Sequence, residues 1–99
     1  MNEALTFLGL LYSGNQLIIG LDVENGIRKK KIKALLFTED ISVTSRKTIE
    51  SLLGEIPLPM ITCFSKEILG KSIGKGPITI VGFKSIKAYY SFKTKIERS

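Results

Sequence analysis

Apolar residues along this chain alternate between two spacings. Ala4, Leu5, Leu8, Leu11 and Tyr12 recur at helical intervals, and Gly14 is placed to end that helix. Leu17-Ile18-Ile19, closed by Gly20, reads as a short strand. Leu21 to Lys31 reads as a second helix, with Val23 and Ile27 four apart. Arg28, Lys29, Lys30 and Lys31 form its C-terminal turn, where positive charge complements the helix dipole. Gly26 lowers the propensity of that helix by ~1 kcal/mol relative to alanine.

Ala34-Leu35-Leu36-Phe37 is a continuous apolar run, as expected of a strand covered on both faces. Ile49, Leu52, Leu53 and Ile56 mark a third helix that Ser42 or Thr44 caps. Pro57 and Pro59 break the chain, and Met60-Ile61-Thr62-Cys63 reads as a third internal strand. Ser65 caps the next helix, Glu67 sits in its favourable first turn, and Gly74 stops it. Ile78-Thr79-Ile80-Val81 is the fourth strand. Phe83, Ile86 and Tyr90, with Tyr89, Phe92 and Ile96, make two adjacent stripes on a final helix. This alternation predicts an α/β fold, a three-layer α/β/α sandwich whose four-stranded mixed sheet carries helices on both faces.

Composition narrows the function more than the fold. A chain of 99 residues fits one domain, residues 1–99, with no internal repeat or linker. With 43% hydrophobic and 24% charged residues, it is globular rather than disordered. It contains no His, so a His-based triad or a His-ligated zinc is excluded. Its one cysteine, Cys63, cannot form an internal disulfide, which fits a reducing compartment. No apolar run reaches the ~18–20 residues of a membrane span, and Met1-Asn2-Glu3 is not a signal-peptide start. A cytoplasmic protein is expected.

The formal net charge is +6. Residues 1–67 carry 8 basic and 8 acidic side chains, and residues 68–99 carry 7 basic ones and the acid Glu97. The excess thus falls in the last third. It suggests an acidic partner such as nucleic acid, against the plainer reading of a solvated face.

Three local groups invite a chemical reading. Gly70-Lys71-Ser72-Ile73-Gly74-Lys75-Gly76 fails the phosphate-loop pattern, because three residues rather than four separate Gly70 from Gly74 and Gly76 replaces the magnesium-binding hydroxyl. It reads instead as a glycine-stopped helix and a turn. Glu39-Asp40 follows a strand end but reads as a solvated or capping pair. Arg28 to Lys31 with Lys33 is the densest positive run, suited to phosphate or to a helix C-terminus. Cys63 has no base beside it in sequence and reads as a small hydrophobe.

Two motifs combine with the order of elements. Gly20 closes a strand and opens a helix, and Ser65-Lys66-x-x-Leu69-Gly70-Lys71-x-x-Gly74 follows the strand Pro59-Met60-Ile61-Thr62-Cys63-Phe64. Over nearly the whole chain this resembles the kink-turn-binding ribosomal proteins of the L-seven-Ae and L-thirty-e type, and its small bacterial members in particular. The resemblance implies a non-catalytic protein that binds structured RNA, such as ribosomal RNA, at one end of the sandwich and associates with the ribosome; the oligomeric state is left open, with a monomer favoured. It implies no cofactor and no metal. The family's turn has the form G-x-N-E-x-x-K. Gly20 matches its glycine and Leu21 its first variable position, while Asp22 stands for the asparagine, Val23 for the glutamate and Gly26 for the lysine. Lys30 falls at a frequently basic position. Thr62, Cys63, Phe64, Ser65 and Lys66 fall in the loop expected to cover an extruded base, with Phe64 a stacking surface and Lys30, Lys66 and Lys71 supplying charge. An ionised Asp22 accepts hydrogen bonds but donates none, Val23 does neither, and Gly26 lacks a cation. The alternative is therefore a protein-interaction module on the same fold, its former RNA surface made less polar by Val23 and Gly26.

Overall fold

The computed structural model describes residues 2–98. Nine elements alternate through them: α1 (Glu3–Ser13), β1 (Leu17–Ile19), α2 (Asp22–Arg28), β2 (Ala34–Phe37), α3 (Val43–Leu53), β3 (Met60–Thr62), α4 (Lys66–Ser72), β4 (Ile80–Phe83) and α5 (Ile86–Arg98). The strands form one sheet in the order β1-β4-β2-β3. β4 is antiparallel to both β1 and β2, and β2 is parallel to β3. This is the expected three-layer α/β sandwich with a mixed sheet.

Strand alternation divides the interior in two. Ala34 and Leu36 of β2, with Val81 and Phe83 of β4, pack against Ala4 and Leu8 of α1, Leu69 of α4, and Tyr89 and Phe92 of α5. Leu35, Phe37 and Ile80 point the other way, onto Val23 and Ile27 of α2 and Ile49 and Leu53 of α3. All four residues of β2 are buried, so the unbroken apolar run reports a strand covered on both faces.

Four strand expectations and one helix expectation change. Met60–Thr62 lies at the sheet edge, not inside it, and its outward residues are exposed. Cys63 lies just past it, donating its backbone N–H to the Phe37 carbonyl (3.0 Å). β4 starts two residues later than the apolar run suggests, and Phe83 belongs to it rather than to the last helix. On α5 the stripe that packs is Tyr89 and Phe92, whereas Ile86 and Tyr90 are exposed.

Helix ends follow capping chemistry. Ser42 Oγ accepts from Ser45 N–H (3.1 Å), and Ser65 Oγ from Ile68 N–H (3.2 Å). α1, α2 and α4 share one stop, in which a left-handed residue is followed by an N–H that reaches back five residues. The left-handed positions are Asn15 (φ 59), Lys30 (φ 58) and Gly74 (φ 75). The returning bonds are Gln16 N–H to Leu11 O (2.8 Å), Lys31 N–H to Gly26 O (2.9 Å) and Lys75 N–H to Gly70 O (2.9 Å). Asn15, not Gly14, thus takes the left-handed turn after α1. α2 stops at Arg28, so Lys29 to Lys31 lie beyond it rather than in its last turn. Ile56 likewise lies past α3, which Gly54 ends. The glycine-rich stretch is the helix stop the sequence suggests. Gly70 is there for close approach, since a Cβ would overlap the Gly76 carbonyl.

Pairing direction gives the sandwich two unlike ends. β1, β2 and β3 all finish at one end, where α2, α3 and α4 begin. At the other end those helices stop, β4 finishes and α5 starts.

Candidate functional site

At the helix-start end, Gly20 (φ +59) turns the chain from β1 into α2. Its N–H donates to the Ile80 carbonyl (3.3 Å), and its carbonyl accepts from Val23 N–H (3.2 Å). β4 is the neighbour of β1, so the segment leading into β4 runs beside this turn. Gly20, Leu21 and Glu24 face Pro77, Ile78 and Thr79 across a cleft of about 310 Å³, floored by Ile41 and Ile49 and edged by Thr44, Ser45 and Thr48 of α3. Leu21 is 97% exposed, an unusual position for leucine, and Asp22 is exposed beside it.

Val23 and Gly26 are not on this surface. Val23 is fully buried in the α2–α3 layer. Gly26 is buried too, and a Cβ there would come within 2.9 Å of Ile32 Cδ1 and 3.0 Å of Ile18 Cδ1. Both residue types follow from packing, because this face of α2 lies on the sheet. Ile32 fills the room left by Gly26 and Gly82 together. The expectation that they are contact residues, or a depolarised RNA surface, is corrected.

The loop from Thr62 to Lys66 shares this end but follows the opposite edge strand. β1 and β3 are separated by three strand spacings, roughly 14 Å. Its groups are engaged within the protein. Thr62 Oγ1 accepts from Arg46 Nη1 (3.1 Å), and Arg46 lies over the Phe37 ring at 4.4 Å. Lys66 N–H donates to the Asp40 carboxylate (3.1 and 3.3 Å), so Asp40 is a capping group for α4. Phe64 holds a left-handed backbone (φ 66) and is half-buried, with its ring edge-on to Phe92 at 6.4 Å. That is a packed aromatic rather than a free stacking platform. Burial first, and the Glu39 carboxylate second, push the Cys63 thiol up to about 11. Cys63 is therefore a poor nucleophile, in line with its reading as a small hydrophobe.

Lys30 and Lys71 leave the site as well. Lys30 is at the helix-stop end, bordering an apolar pocket with Ile56 and Leu58. Lys71 borders an apolar groove between α1 and α4 with Leu10 and Ile68, where Gly9 allows the helices to meet closely at the Ser72 carbonyl. Of the twelve candidates, Gly20 and Leu21 therefore share one site, which Pro77, Ile78, Thr79, Thr44, Ser45 and Thr48 complete, while Asp22 borders the groove along β1 instead. The one sequence signal for this second wall was the Gly74-Lys75-Gly76-Pro77 loop before the strand.

No protein-family model and no curated protein matches the chain by sequence. Solved structures share its fold. A protein of unknown function from Bacillus halodurans superposes with a TM-score of 0.86 at 20% identity, covering 98% of this chain and 99% of that one. A 15.5 kD RNA-binding protein from Giardia lamblia superposes with a TM-score of 0.71 at 12% identity, covering 95% of this chain and 82% of that one.

Proposed function

We propose that this protein binds structured RNA without catalysing a reaction, using the Gly20 turn and the adjoining cleft. One observation carries the reading. The turn from β1 into α2 and the segment before β4 enclose an apolar cleft rimmed by hydroxyls, on a fold shared with an RNA-binding protein. A base displaced from a helix would lie against Leu21, Ile41 and Ile78. Thr48 Oγ1 donates to the Thr44 carbonyl (3.0 Å) and Ser45 Oγ accepts from Ser42 Oγ (2.9 Å), so Thr48 would offer the base an acceptor and Ser45 a donor. Glu24, which lines the cleft, accepts hydrogen bonds, which suits the exocyclic amines of bases and opposes phosphate. Recognition here is of an unpaired or sheared-pair element such as a kink-turn, in ribosomal or other structured RNA. The protein-interaction alternative loses its original support, because Val23 and Gly26 are interior.

The test is fluorescence anisotropy with two labelled RNAs: a helix interrupted by an internal loop with tandem G·A pairs, and the same helix uninterrupted. The intact protein should prefer the looped RNA. Leu21→Glu with Thr48→Glu should abolish the preference while leaving the circular dichroism spectrum unchanged. Equal affinity for both RNAs in the intact protein would refute the role of the cleft.

A further inference from the structure

The charge excess does not gather at the cleft. Asp22, Glu24, Glu39, Asp40 and Glu67 lie on first helical turns or in loops at the helix-start end. Arg28, Lys29, Lys30, Lys31, Lys33 and Lys84 lie at the opposite end, where α2 stops, β2 starts and β4 finishes. Lys84 is more than fifty residues from the others in sequence, and only the sheet brings it to them.

Part of this cluster opens onto a groove of about 350 Å³ along the edge strand β1. Lys29 and Lys31 reach it from the end of α2, Lys84 from the end of β4, and Tyr12, Asn15 and Asn25 also line it. Lys84 Nζ donates to Asn15 Oδ1 (3.1 Å), which holds the ammonium over the groove. The described ion pairs are Arg46–Glu50 and Glu3–Lys95, both elsewhere, so no carboxylate neutralises these three lysines among the described residues. Asp22 lines the far end of the groove, next to the Gly20 turn. A helix C-terminus accounts for cations at 29 and 31 but not for Lys84 converging from another element.

We infer that this groove binds the phosphate backbone of RNA, as the electrostatic anchor for the helix that flanks an element held at the cleft. The inference rests on the proposed RNA-binding function and adds a second, separate contact. β1 joins the two sites, because its C-terminal end is the Gly20 turn and its length borders the groove. An edge strand also offers backbone groups that no neighbouring strand uses. Three lysines, two amides and a phenol converge over the Leu17–Ile19 edge strand and make the groove mainly polar, which suits phosphate oxygens; the one carboxylate lining it, Asp22, keeps phosphate to the lysine-bearing end. Contacts of this kind position the RNA and set affinity, whereas the cleft sets preference.

The experiment uses the full chain and the same two labelled RNAs across a salt series. Lys29→Glu, Lys31→Glu and Lys84→Glu together should weaken both RNAs by at least ~10-fold and reduce the slope of log Kd against log salt by about 2–3. A control carrying Lys47→Glu, Lys93→Glu and Arg98→Glu makes the same change in net charge away from the groove and should weaken binding far less. Equal loss in the two triple variants, or wild-type binding by the groove variant, overturns the anchor. If the reversal impairs folding, the corresponding triple alanine variant gives the same salt-slope reading. Binding of both RNAs equally, yet abolished by the groove variant, would keep the anchor and refute the cleft. Binding of neither RNA by the intact protein refutes both.

Discussion

The two ends of the sandwich are built from the same helices and behave differently. At the helix-start end, the first N–H groups of α3 and α4 are already used, while α2 has no side-chain cap. Ser42, Ser65 and the Asp40 carboxylate cap α3 and α4, and acidic residues offset the positive ends of the dipoles. What remains there is shape: the turn at Gly20, the exposed Leu21 and an apolar cleft. At the helix-stop end, α2 closes its carbonyls by a backbone-only motif that consumes no side chain. The lysines of that stop are left free to project. Under the proposed function, one end would recognise a base and the other would hold a phosphate chain. Net charge alone could not have shown this division, because it sums over both ends.

The sharpest way to break the contrast is to place a cation at Gly26, where the pattern G-x-N-E-x-x-K has lysine. If Gly26 is a packing residue, Gly26→Lys should lower stability by about 1–3 kcal/mol, the usual range for overpacking, with no gain in RNA affinity. Urea unfolding and anisotropy check the two halves. Tighter RNA binding at unchanged stability would return Gly26 to the binding surface.

Cys63 probes the helix-start end next. Its thiol is raised to about 11, so at pH 8 it should be alkylated roughly 10-fold more slowly than an unfolded cysteine, fewer thiolates being partly offset by greater nucleophilicity. The sign for stability follows from the same shift. The folded state favours the neutral thiol, so this contribution is complete below about 9 and is lost as pH rises toward 11. Cys63→Ala should remove that component from the stability profile. Iodoacetamide kinetics with and without urea measure the first effect.

Asp40→Ala removes the carboxylate that accepts from Lys66 N–H and should cost about 1 kcal/mol, as cap deletions do. A loss below a few tenths would mean that the end of α4 is satisfied by water instead. Smallest is Lys30→Gly, which should stabilise by about 0.5–1 kcal/mol by relieving a left-handed lysine. Thermal melting shows whether Lys30 does the work that Gly74 does at α4.

The elements were legible because their signals are local. Ser42 and Ser65 before apolar runs, the unbroken Ala34–Phe37 and the stop at Gly74 each act within a few residues. Gly14 caps α1 as its position suggests, whereas α2 stops at Arg28 rather than Lys31 because Lys30 adopts a left-handed conformation without being glycine. The candidate site was legible in one wall only. Gly20 and Leu21 stand in sequence, whereas Pro77 to Thr79 reach them through strand order. Phe64 offered an aromatic in a loop, and nothing near it in sequence announced the Phe92 ring against which it packs.

The sequence by itself determined the order of elements, the two-sided burial of β2 and the absence of histidine chemistry, because periodicity, capping and composition need no knowledge of neighbours. Only the tertiary structure decided that Val23 and Gly26 face inward, that β3 lies at the edge, and that Lys84 joins Lys29 and Lys31 beside β1. Each of those depends on which strands pair and which helix faces the sheet. Those choices are made by burial summed over segments far apart in the chain, and no local pattern records that sum.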